Sequence, residues 1–114
     1  MDKIEEYKAI IKKVLHQHAS GYQMPNTEEY SEQLIVDDEH GHYLLMGVGW
    51  QQYKRLHGIN LHIDIIGDKV YIQQDWTERG IALELEEHGI PKKDIVLAFH
   101  APYRRPLIED YAVR

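Results

Sequence analysis

The chain has 114 residues, one small domain's worth, and 43% of them are apolar. With 13 Lys+Arg against 19 Asp+Glu the formal charge is −6, so no overall positive field draws DNA phosphates and direct DNA binding is not expected. The absence of cysteine excludes disulfides and thiolate chemistry, and no run approaches the about 20 apolar residues of a membrane span.

The first residues, "MDKIEEYKAIIKK", mix charges through a helical pattern and lack the apolar stretch of a secretion signal, so a cytoplasmic domain spanning 1–114 is expected. Ile4, Tyr7, Ile11, Val14, Leu15 and His18 recur at steps of three and four, which predicts an amphipathic helix from Asp2 to about Ser20. Gly21 supplies a stop and Pro25 lies beyond it. A helix covering a sheet is the favoured reading, because few other elements are available to bury strands.

"EQLIVDDEHGHYLLMGVGW" reads as two extended runs around a turn at "DEHGH", with the register of this hairpin left open. Leu44, Met46, Val48 and Trp50 alternate and are expected to face inward. Gly47 and Gly49 then share the opposite face, where a ligand or a bulged strand could approach the backbone.

Gly67-Asp68 between "INLHIDII" and "KVYIQQDW" marks a two-residue hairpin turn. The turn pairs Ile66 with Lys69 and each step outward from there. One face then holds Ile65/Val70, Ile63/Ile72, Leu61/Gln74 and Ile59/Trp76, with Trp76 filling space opposite Ile59. The other holds Asp64/Tyr71, His62/Gln73 and Asn60/Asp75. A helix over residues 77–88 follows, with an Asp75–Glu78 capping box, Ile81, Leu85 and His88 buried, and Gly89 closing it. "IPKKDIVLAFH" gives a strand over residues 95–99, and the tail with two prolines reads as loop-like, with room for a closing edge strand. The fold class is therefore α+β: an antiparallel β-sheet of hairpins covered by an N-terminal helix and a second helix near the C-terminus.

Among chemistries, His62 and Asp64 share a strand face, with Asp75, His57 or His100 as further metal donors. The parity of His57 turns it toward the apolar side, and neither a His-x-x-x-His helix nor a cysteine is present, so neither metal nor other cofactor is expected. Asp64 and Asp75 lie four residues apart along the hairpin face, about 13 Å, too far to share a catalytic ion. Neither Ser20 nor Ser31 sits in a nucleophile elbow, and "GVGW" lacks the parts of a phosphate loop. No catalytic residues are assigned. The basic doublets Lys12-Lys13, Lys54-Arg55, Lys92-Lys93 and Arg104-Arg105 read as solvated surface charge. The polar hairpin face of Asn60, His62, Asp64, Tyr71 and Gln73 suits a protein interface or bare solvent better than a pocket floor.

"YLLMGVGW", "RLHG", "LHIDI", "IQQDWTERGIALEL" and "HGIPKKDIVLAFHAP" followed by "RRP" resemble, in that order, the XisI-like family, named for the excision controlling factor of the fdxN element. The likeness runs from Tyr43 to Arg105. It carries over Trp50, Arg55, His57, Gly58, His62, Asp64, Gln73, Gln74, Asp75, Thr77, Glu78, Gly80, Pro91, His100, Pro102 and Arg105. Trp76 stands where glycine is expected, Ala101 replaces a proline, and Gln51-Gln52 lacks the Asp expected after Trp50.

The resemblance implies an accessory factor for programmed excision of a DNA element, acting beside an XisH-like partner and a separate site-specific recombinase that performs the strand chemistry. A homo-oligomer is expected, since a small sheet with one covering layer leaves a face and edges to protect. The candidate binding residues are Asn60, His62, Asp64, Tyr71, Gln73, His100 and Arg105. The alternative is a small enzyme or ligand-binding domain built on His62, Asp64 and Gln73.

Overall fold

The computed structural model describes residues 2–19, 29–108 and 110–114. Helix α1 (Lys3–Ala19) leads into strands β1 (Tyr30–Asp37), β2 (His42–Gln51), β3 (Lys54–Ile66) and β4 (Lys69–Asp75), then helix α2 (Ile81–Glu87) and strand β5 (Ile95–Leu97). Short 3-10 turns occupy Lys92–Asp94 and Pro102–Leu107. The sheet has the order β1-β2-β3-β4-β5, antiparallel through β4 and parallel between β4 and β5. The α+β reading holds, with one parallel edge that α2 makes sterically available as a crossover.

Asp2 starts α1: its carboxylate accepts the Glu5 N–H at 2.9 Å and its carbonyl accepts the Glu6 N–H. The helix buries the expected stripe of Tyr7, Ile11, Val14, Leu15 and His18, with Ile4 partly covered. Gly21 and Pro25 lie outside the described residues. The stripe joins Tyr43, Leu45, Leu61, Ile63, Val70 and Ile72 from the sheet and Ile81 and Leu85 from α2 in one core.

That core corrects the reading of β2. Tyr43 and Leu45 face inward, whereas Leu44, Met46 and Val48 lie half-buried on the outer face and Trp50 is exposed. Tyr43 reaches the inside because its hydroxyl finds the Asp38 carboxylate at 2.8 Å, which satisfies the polar tip of a buried ring. Gly47 and Gly49 are therefore on the inner face. A Cβ on Gly47 would stand 2.2 Å from the Tyr30 hydroxyl, and one on Gly49 2.0 Å from the Glu29 carbonyl oxygen. The close approach comes from the chain's own first strand.

Two bulges change the register expected from the turns. The Gly67-Asp68 turn pairs Ile66 with Lys69 through Ile63 with Ile72 as predicted, but His62 then faces Gln74 and Leu61 faces Asp75. Gln73 is the extra residue on β4. Between β2 and β3, Leu45 faces Leu61 while Met46 faces Ile59, which leaves Asn60 as the extra residue on β3. The second bulge overturns the parity argument on His57: it pairs with Val48 and stands on the same outer face as His62.

Helix α2 begins later than expected. Residues 76–80 form an irregular link, and Trp76 is 76% exposed instead of packing opposite Ile59. Asp75 accepts the Thr77 N–H at 2.9 Å and the Thr77 hydroxyl at 2.6 Å through one oxygen, and the Ile81 N–H at 2.7 Å through the other. It thus caps both the link and the helix, without a reciprocal bond from Glu78. The last strand stops at Leu97. Beyond it the tail returns to make a single parallel bridge, Val96 to Ala112, along the free side of β5.

Candidate functional site

The outer face of the sheet is ordered in rows across the strands. Asp37, His42, Asp64 and Tyr71 stand opposite one another at one end, and Ile35, Leu44, His62 and Gln74 form the next row. Gln33, Met46 and Ile59 follow, then Ser31, Val48 and His57, and finally Trp50 with Arg55. The Arg55 guanidinium lies 5.2 Å from the Trp50 ring centroid, a cation–π contact on the exposed rim. The face thus runs from a charged and histidine-rich end, through an apolar middle, to an aromatic and basic end.

Asp64 organises the first end. One oxygen accepts from His42 Nδ1 at 2.8 Å and from His62 Nε2 at 2.9 Å, and the other accepts from Gln73 Nε2 at 3.2 Å. The Gln73 bulge lets that amide reach the carboxylate although its strand neighbour, and not Gln73, pairs with His62. Hydrogen bonding to Asp64 raises the His42 pKa above the usual imidazole range, against a smaller opposing effect of desolvation. Alongside, His40 bonds to Asp37 through its backbone N–H and its ring, and these contacts hold the exposed Asp37 carboxyl below its ordinary pKa.

Of the residues singled out in the sequence, His62, Asp64 and Gln73 converge, with Tyr71 directly across from Asp64. Asn60 does not join them. The bulge turns its amide to the inner side, where it donates to the Tyr30 hydroxyl at 2.9 Å and to Glu32 at 3.2 Å. Arg105 is occupied structurally, donating to the carbonyls of His100, Ala98 and Val113 and so tying the tail to the end of β5. No hydrogen bond among the described residues joins His100 to the Asp64 group; its ring packs against Phe99 at 4.6 Å.

The residue missed in the sequence is His42. Counting back from the two-residue turn at Gln52-Tyr53 sets His42 opposite Ile63, and the unanticipated bulge at Asn60 moves it opposite Asp64. Among the described residues, His42, His62 and Asp64 are the one group of three or more such donors whose ligand atoms lie within 4.8 Å of one another. The His42 side chain is 53% exposed and that of His62 31%, so the cluster lies on an open surface. The pocket lined by Glu86, Gly89, Ile90, Pro91 and Lys92 contains none of these residues. No helix among the described residues is long and apolar enough to cross a membrane.

Fold and site together define a small α+β protein with a polar cluster and an apolar strip on a sheet face that neither described helix covers. The chain belongs to the XisI family, whose model, described as XisI protein, matches residues 1–113. It is similar to a XisI-like protein from Anabaena variabilis known from a crystal structure, at 39% identity and a TM-score of 0.89, over 98% of this chain and 100% of that one. It is also similar to the fdxN element excision controlling factor XisI of Anabaena variabilis, at 32% identity and a TM-score of 0.82, over 99% of this chain and 100% of that one. No curated protein matches the sequence. The family resemblance carried by the ordered motifs is thereby established.

Proposed function

We propose that this chain is a controlling factor for excision of a DNA element and acts as a non-catalytic accessory, through contacts with an XisH-like protein and, in the assembled system, a site-specific recombinase. The observation that carries the reading is the outer sheet face. Both helices join the core on the opposite side, leaving Ile35 43% and Trp50 50% exposed beside the half-buried Leu44, Met46, Val48 and Ile59. An apolar centre with a polar, aromatic and charged rim is the composition of a protein-binding surface.

The rival reading as an enzyme or ligand-binding domain needs His62, Asp64 and Gln73 in a closed cavity. They converge on an open face, which favours contact over catalysis. The basic doublets lie on four separate elements, and Lys12, Lys92 and Arg105 are engaged with Asp38, Glu86 and backbone carbonyls, which supports a protein and not a DNA partner. Self-association is part of the same reading: β1 is the sheet's terminal strand, and among the described residues no strand pairs with its outer edge. Co-purification with a cognate XisH-like protein tests the proposal. A stable complex at micromolar concentration is expected, and its absence contradicts the reading.

A further inference from the structure

Asp64 is only 7% exposed, yet none of its ionic partners among the described residues is a lysine or arginine; they are His42 and His62. A carboxylate taken that far out of water without a permanent cation beside it is costly, and it makes a local site of negative potential. The two groups aimed at it are imidazoles, and imidazole with carboxylate is the donor set that borderline divalent transition ions favour. We propose that His42 Nδ1, His62 Nε2 and Asp64 Oδ1 form a binding site for a divalent transition ion of the zinc class. The proposal stands independently of the excision role.

The three donor atoms lie within 4.8 Å of one another, with edges of 2.8 Å and 2.9 Å at the Asp64 oxygen. An ion about 2.0–2.1 Å from each donor in tetrahedral geometry sets donor–donor edges of about 3.3 Å. Binding therefore opens the two edges at the Asp64 oxygen by about half an ångström each and sets the two imidazole nitrogens, already within 4.8 Å, about 3.3 Å apart, displacements that small side-chain rotations supply. The three ligands come from two adjacent strands locked in register, so the site exists before the ion arrives.

In the metal-free arrangement both imidazoles donate an N–H to the carboxylate. To bind, each presents a bare nitrogen: the protons on His42 Nδ1 and His62 Nε2 shift to the other ring nitrogen of a neutral imidazole, or leave to solvent from a protonated one. Gln73 holds the second Asp64 oxygen, the orienting hydrogen bond that ligating carboxylates commonly carry. The open face leaves the remaining coordination position to water or to a donor from a docked protein.

Calorimetric titration of the whole chain with zinc sulfate tests the site, with cobalt chloride as a second probe read by its d–d absorption. One equivalent per chain is expected. Each of His42→Gln, His62→Gln and Asp64→Asn should weaken binding by at least about tenfold, and Gln73→Leu by about tenfold. His57→Gln and His100→Gln, outside the cluster, should leave it unchanged. Circular dichroism checks the fold of every variant, and should Asp64→Asn fail to fold, the two histidine variants decide the matter. No zinc or cobalt uptake by the folded wild-type chain overturns the proposal. So does uptake that survives in the His42→Gln/His62→Gln double variant.

Discussion

Asp94 is a charged residue that the fold uses below the surface. It is 4% exposed, accepts a hydrogen bond from the Tyr7 hydroxyl, and pairs with Lys3 at 3.1 Å. Burial alone would raise its pKa, but the bonds from Tyr7 and Lys3 outweigh that and hold it below the usual carboxylate range. A carboxyl held low in the folded state stabilises fully above its unfolded value, about 3.9, and the contribution disappears as pH falls through the folded one. The loss of stability as pH falls toward about 4, followed by urea unfolding across that range, should therefore be shallower in Tyr7→Phe than in wild type, because one of the lowering bonds is gone. An equally steep loss would contradict this role. Gly49 offers a steric test at the same scale. Its φ of +156° and the Glu29 carbonyl 2.0 Å from an added Cβ leave no room, whereas nothing lies within 4 Å at Gly58. Gly49→Ala should cost about 1–3 kcal/mol in urea unfolding, and Gly58→Ala less than half as much.

At the scale of elements, α1 and α2 are joined by a buried histidine–carboxylate hydrogen bond. His18 Nε2 lies 2.9 Å from one Glu84 oxygen and 3.1 Å from the other, with the residues 3% and 8% exposed. Removing one partner leaves the other buried without its hydrogen bond, so His18→Ala should lower stability by about 1–3 kcal/mol. A loss below about 1 kcal/mol, the range of surface pairs, would show that the contact is not a structural tie. The elements also show what periodicity can and cannot reveal. The stripe of α1 was legible because a 3.6-residue repeat depends on no partner, and the Gly67-Asp68 hairpin because its turn sets the register locally. β2 was misread because both of its faces are apolar, one toward the core and one toward the outside, so alternation could not tell them apart. The late start of α2 was hidden because Asp75 caps the chain from six residues before Ile81, outside the usual spacing.

For the whole molecule, the two bulges decide what the outer face presents. They carry Asn60 inward, bring His42 opposite Asp64, and let Gln73 reach the same carboxylate. Strand alternation placed three of the four cluster residues, His62, Asp64 and Gln73, on this face. It did not place His42, because a bulge depends on packing across strands and leaves little local trace. The apolar strip of Leu44, Met46 and Val48, read as core from sequence, lies instead half-buried on the outer face. The most direct test of the proposed contact through this face is sedimentation velocity of the chain mixed with its XisH-like protein, comparing wild type with Met46→Glu. A charge placed in the centre of the face should weaken a joint species by about thirtyfold, the size of a central interface residue's effect. The account predicts a heavier joint boundary with wild type and its loss with Met46→Glu. A wild-type chain that sediments independently of the partner, or a complex indifferent to Met46→Glu, would contradict it.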